Sequence, residues 1–340
     1  MTDAAPGSPA DDAAEAAAEV PGPELRVGRI TVFPIKSLDG VDVDAAAVLP
    51  SGSLAWDRRF ALFSPDGAVV NGKIEPRVHR VAAEFDLSGE CVAVGPRAAA
   101  THDSEGGGPG PGCQTFSLHD EREELEAFLS RLLARPVRLR EDLRTGFPDD
   151  ALSPGPTIVT AATIAAISEW FDLPQQEVRR RFRANLELTA QGTGTAEPFA
   201  EDLLVPGPDE EIEFWAGEGR FVGTGACERC VVPSRDSRTG AAMAGFQKEF
   251  ANLRKRELPP FAPKSAFDHF YRLAVNTRPL GRSRGGGNGG VVRVGDAVRI
   301  IGPRPAEPPD EPAADSSQQE RSARSSGKTG SSASGRRRRR

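Results

Sequence analysis

Strand-like runs outnumber helical ones along this chain, and the two kinds do not alternate. The first run, residues 25–35, carries Val27, Ile30, Val32 and Ile35 among polar neighbours, as a half-buried strand does. Runs over 41–49, 59–63, 78–87, 91–94 and 115–118 follow, separated by turn signals such as Ser64-Pro65-Asp66-Gly67. One helix interrupts them. Asp120 can cap it, Leu125, Phe128, Leu129 and Leu132 recur at helical spacing, and Pro136 stops it. Another strand starts over 137–139.

A second block opens on Thr157-Ile158-Val159 and predicts a helix capped by Thr160, with Ile164, Ile167 and Phe171 on one face. A shorter helix follows Pro174 through Val178. Strands are expected over 183–188, 211–215 and 219–232, and a helix over 245–257. A strand pair over 270–275 and 291–301 ends the block, with Gly295-Asp296 as a turn or bulge. Without regular βαβ order, a doubly wound sheet is disfavoured. The reading is α+β and β-rich: a predominantly antiparallel, barrel-like core with packed helices.

At 340 residues the chain holds one large domain or two ordinary ones. Residues 1–23, rich in Ala, Asp, Glu and Pro, read as a disordered acidic arm. Residues 304–340 read as a disordered Ser/Arg-rich tail closed by the arginines at 336–340, a solvated basic run. The ordered blocks between them are 24–145 and 146–303. Glycine-rich inserts at 106–112 and 285–290 lack flanking helix signals and read as hairpin loops, not phosphate cradles. A net charge of -6 gives no overall case for nucleic acid. No apolar run is long enough to span a bilayer and no secretory pattern opens the chain. With four cysteines, this points to free thiols in the cytoplasm.

Chemistry concentrates at Cys227-Glu228-Arg229-Cys230, followed by Val231-Val232-Pro233. Thiolate is the form of cysteine that binds metals, and an adjacent cation favours it. Three readings stand. A redox dithiol should open a helix, whereas the following residues are extended and stopped by proline. A structural zinc needs two more ligands, and Cys91, Cys113, His79, His102, His119 and His269 are scattered. The third is a single thiolate on a metal carried by an organic cofactor, with nearby cations holding anionic groups. Such cations occur at Lys36-Ser37, at Arg58-Arg59, and at 179–183, where Arg183 and Asn185 would share a strand face.

In order, Val32-Phe33-Pro34-Ile35-Lys36-Ser37, Asp57-Arg58-Arg59-Phe60, Glu75-Pro76-Arg77, Phe182-Arg183-Ala184-Asn185, Glu201-Asp202, Cys227-Glu228-Arg229-Cys230, Asp236 with Thr239-Gly240, and Val294-Gly295-Asp296-Ala297-Val298 form a pattern. The pattern resembles the MOSC family, the molybdenum-cofactor sulfurase C-terminal domain preceded by its N-terminal β-barrel companion, over about residues 25–302. It is similar to bacterial relatives of the mitochondrial amidoxime-reducing component. The resemblance makes 24–145 the N-terminal β-barrel domain and 146–303 the MOSC domain.

It also implies a molybdenum–molybdopterin cofactor with Cys230 as metal ligand, and Arg229 and the backbone around Glu228 beside the metal. Lys36, Ser37, Arg58, Arg183 and Asn185 would hold the pterin and its phosphate. Thr160 and Thr163 match hydroxyl positions at a helix start, and Asp236 falls in the catalytic pattern. The implied activity is reduction of small N-hydroxylated compounds with electrons from a separate flavin or iron–sulfur protein, with no membrane or nucleic acid required. The alternative is a sulfur carrier that takes persulfide sulfur from a pyridoxal-phosphate-dependent desulfurase. Pro233-Ser234-Arg235-Asp236-Ser237, Asn71-Gly72-Lys73 and the charge of Glu228 depart from the family pattern.

Overall fold

A computed structural model describes residues 24–98, 108–190, 196–280 and 289–307. The acidic arm, the tail beyond 307, His102 and parts of both glycine-rich inserts lie outside these residues. In chain order the first strands are β1 (Leu25–Val32), β2 (Val41–Val43), β3 (Ala45–Ala47), β4 (Phe60–Phe63), β5 (Val69–Val70), β6 (Val81–Asp86), β7 (Cys91–Pro96) and β8 (Gln114–Ser117). Helix α1 (Arg122–Leu132) and β9 (Arg138–Glu141) complete this part. Then come β10 (Ile158–Thr160), α2 (Ala161–Phe171), α3 (Gln175–Phe182), β11 (Leu186–Ala190), β12 (Glu210–Ala216) and β13 (Gly219–Glu228). The last elements are α4 (Phe246–Arg256), β14 (Arg272–Pro279), β15 (Val291–Arg293) and β16 (Ala297–Pro305).

Seven strands close a barrel in the order β10-β14-β13-β12-β16-β1-β11, with β11 returning to β10. Only the β10–β11 contact in it is parallel. The first strand of the chain is therefore a stave between strands from the far end, β11 and β16. Its apolar phase breaks between Val27 and Ile30, and the ladder to β11 shifts register between Val27 and Arg29. A bulge at Gly28 absorbs the extra residue, so Leu25, Val27, Ile30 and Val32 all reach the core. A Cβ on Gly28 would meet Thr189 Cγ2 at 2.6 Å, so the approach needs glycine.

Three cores result. One fills the barrel with residues such as Val27, Ile158, Leu188, Phe214 and Val275. A second lies under the small sheets β5-β4-β9 and β6-β7-β8, where α1 contributes Leu125, Phe128 and Leu129. The third is phenylalanine-rich: Phe171, Phe182, Phe246 and Phe250 from α2, α3 and α4 pack together. The α+β, β-rich architecture is as expected from the strand-dominated pattern.

Local details differ from the sequence reading. Helix α1 takes Glu121, not Asp120, at its N-cap, because Ser117 Oγ accepts from the Asp120 N–H and ties that residue into the preceding turn. The two last long runs do not pair: β14 lies between β13 and β10, and β16 between β12 and β1. The β12–β13 hairpin is inserted between them, and β15 pairs with β3 instead. The glycine insert near 285–290 therefore does not join a hairpin, whereas the one near 106–112 joins the paired β7 and β8. The run from 183 begins as a strand only at Leu186, since Arg183 ends α3 in a left-handed conformation.

Candidate functional site

A cavity of about 360 Å³ is bounded by the turn after β1, the segment leading into β4, residues 71–73, residues 148–157, the end of α3 and the end of β13. Its volume is within the usual range for small-molecule sites. The wall holds Lys36, Ser37, Arg58, Arg183, Glu228, Arg229 and Cys230 together, although they come from four distant stretches of chain.

Three of these residues carry backbone strain. Ser37, Arg58 and Arg183 have φ of 75°, 51° and 54°, in the region that side chains other than glycine disfavour by about 1 kcal/mol or more each. Backbone hydrogen bonds fix two of these turns. Arg58 donates its backbone N–H to Phe33 O at 2.8 Å, and the Phe33 N–H donates to Asp57 Oδ1 at 3.0 Å. Arg183 caps α3, donating its N–H to Arg179 O at 2.8 Å. Strained non-glycine residues of this kind collect where a side chain must be aimed.

The Arg183 guanidinium lies over the Phe33 ring, 4.0 Å from its centroid, and forms no ion pair or side-chain hydrogen bond among the described residues. Desolvation first, and the charge of Arg58 second, pull its pKa down to about 10. That is the signature of a cation lacking its anion. Arg58 contrasts with it. Burial works against its charge, but Asp57 and then Asp149 outweigh the burial and raise its pKa. Lys36 is pulled below the usual lysine range by burial, with Asp149 opposing.

At the thiol end, β13 stops at Glu228 and a tight turn over Val232–Ser234 follows, so Cys227 and Cys230 are on different geometry. Arg229 turns back along the face of Cys227. It donates Nη1–H to Cys227 Sγ at 3.1 Å and Nη2–H to Phe182 O, while its Nε is buried without a partner. Cys230 Sγ instead faces the Val232 N–H at 3.5 Å. Pairing Arg229 with Cys230 by adjacency thus reverses which thiol the guanidinium touches, because residues two apart share a strand face and neighbours do not. All four cysteines are free thiols. Among the described residues no three of His, Cys, Asp and Glu are grouped to hold a metal. Cys227 and Cys230 both line the cavity.

Four residues named from sequence lie outside the cavity wall. Asn185 is 1% exposed; its Oδ1 accepts from the Thr157 N–H and hydroxyl and from Arg58 Nη1, and its Nδ2 donates to Thr31 O. It orients Arg58. Thr160 and Thr163 are fully buried, and both hydroxyls donate to Glu201 Oε2 at 2.8 Å. Asp236 Oδ1 accepts from the N–H groups of Arg238 and Thr239 and from the Thr239 hydroxyl, closing its own loop. Sequence reasoning missed Asp149, Lys73 as a cation of the wall, and Phe33 as the platform under Arg183. Asp149 has no local pattern that sets it apart from Asp150.

Among the described residues no helix is long and apolar enough to cross a membrane. No curated protein matches the chain. Residues 24–136 match the family model described as the MOSC N-terminal beta barrel domain.

Proposed function

We propose that the protein is an oxidoreductase that binds the molybdenum cofactor in this cavity and reduces small N-hydroxylated compounds of the amidoxime or hydroxylamine type. MOSC domains are associated with that cofactor. The observation that supports the reading is the pairing, in one cavity, of a counter-ion-free Arg183 with the Cys230 thiol. A phosphate-bearing, planar, sulfur-bound group fits this donor set. Arg183, Arg58 and Lys36 would meet its anionic end, and Phe33 holds the Arg183 guanidinium flat. Cys230 would ligate the metal.

When bound, the cofactor supplies two-electron removal of oxygen from an N–OH group. The chain's own residues bind, orient and exclude water. Arg58 is held by Asn185 and Asp57, and Arg183 by its helix cap, so neither has to reorganise on binding. Electrons would come from a separate flavin or iron–sulfur protein.

The test is elemental and spectroscopic. Purified from a molybdate-supplemented host, the wild type should hold stoichiometric molybdenum and reduce benzamidoxime with an artificial reductant. Cys230→Ala should lose activity, and X-ray absorption should show one fewer sulfur at the metal, with the melting temperature unchanged. A labile extra sulfur on Cys230 without molybdenum would instead establish the sulfur-carrier role.

A further inference from the structure

Lys36, the most enclosed lysine of the cavity, has its side chain 12% exposed and spends all three of its protons on one short segment. It donates to Phe147 O at 2.9 Å and Pro148 O at 3.1 Å, and its ammonium is 3.0 Å from Asp149 Oδ1. Lys73 reaches the same Oδ1 at 3.5 Å. Asp149 is half exposed, with 55% of its side chain open to solvent, and it lies on the connection between β9 and β10. One carboxylate oxygen thus bridges two lysines on the wall of a cavity that also holds Arg58, Arg229 and Arg183, the last with no ion pair among the described residues.

We infer that Asp149 occupies an anion position of the cavity, and that a phosphate-bearing ligand must displace it to reach Lys36 and Lys73. The inference rests on the reading of the cavity as the seat of a phosphate-bearing cofactor. Electrostatics agrees with the geometry. Partial desolvation favours the neutral acid, but Lys36, Arg58 and Lys73 outweigh it and hold Asp149 well below the usual carboxylate range. Asp149 is therefore an anion at any physiological pH and competes with an incoming one. Among the described residues its side chain contacts only these two lysines, Arg58 and Arg183 feel its charge at longer range, and Lys36 keeps two carbonyl acceptors if it leaves. Asp150 is the internal control. It lines the same cavity but contacts Asn276 Nδ2 at 3.4 Å and the Leu152 N–H, not a lysine.

The experiment is calorimetric titration of cofactor-free, full-length protein with inorganic pyrophosphate. Asp149→Asn should bind about tenfold tighter than wild type, as expected when a like charge is removed a few ångströms from an anion at protein-surface screening. Asp150→Asn should gain less than about threefold, because its charge is farther from the lysines. Lys36→Ala should weaken binding more in the Asp149→Asn background than in the wild type, since only there is Lys36 free for the ligand. The inference is overturned if Asp149→Asn binds no tighter, if Asp150→Asn gains as much, or if the two Lys36→Ala effects are equal. Pyrophosphate binding does not depend on molybdenum, so this result and the test of Cys230 fail independently.

Discussion

Arg183 has a positive charge at a helix terminus that usually goes to glycine, and it has no anion of its own. Keeping the arginine there costs backbone strain, which the proposed phosphate-bearing ligand would offset by completing the ion pair. Arg183→Met should lower pyrophosphate affinity by about tenfold or more, the loss of one charge-assisted contact, while a denaturant midpoint moves little or upward. A large fall in stability instead would make Arg183 structural.

Glu201 is the opposite case. It is buried at 1% exposure, bonded to Thr160 and Thr163 through Oε2, with Oε1 unpartnered. Burial first, and Asp202 second, push its pKa from an ordinary 4.5 up to about 7. The folded state then holds the proton more tightly than the unfolded chain. The resulting destabilisation is absent below about pH 4.5, grows as pH rises through the window to about 7, and is complete above it. Glu201→Gln should flatten that slope in thermal unfolding between pH 4.5 and 8; an unchanged slope would show that another group carries it. Thr160 and Thr163 were legible as a helix start, and Thr160 does cap α2. Their service to Glu201, about 40 residues away in the chain, was not legible, since no local pattern encodes it.

Among the elements, β1 and α4 show how far periodicity reaches. The alternation of β1 marks a strand, whereas the bulge at Gly28 emerges only from its register shift against β11. Gly28→Ala should cost about 1–3 kcal/mol, typical of forcing a methyl into a closed contact, and Thr189→Ser should recover part of it by removing the opposing methyl. Urea unfolding of the single and double variants checks this. For α4, helical spacing fixes the helix but not its partners. Phe250 is fully buried against Trp170, Phe182 and Tyr271. Phe250→Ala should cost about 3–5 kcal/mol through the cavity it leaves. A cost under about 1 kcal/mol would mean that the phenylalanine cluster repacks.

For the whole molecule the decisive contact is β1 between β11 and β16. A fragment over 146–307 would lack a stave and expose two unpaired strand edges. It should show no cooperative thermal transition by circular dichroism, whereas the chain over 24–307 should. A cooperative transition in the shorter fragment would mean that the barrel closes without its first strand.

Neighbour-to-neighbour physics was enough to read the strands, the helices and the absence of βαβ order, because apolar period and turn chemistry act within a few residues. Lys36, Ser37, Arg58, Arg183, Glu228, Arg229 and Cys230 were named as a set from the resemblance of their motifs to the MOSC family. Their meeting in one cavity, the return of Arg229 to Cys227, and the capture of Lys36 by the 147–149 segment came only with folding. Those contacts join residues as far apart as 111 positions for Lys36 and Phe147, and 127 for Arg58 and Asn185. Such long-range meetings, like the closed barrel itself, depend on the arrangement of elements in space, which no single stretch of sequence contains.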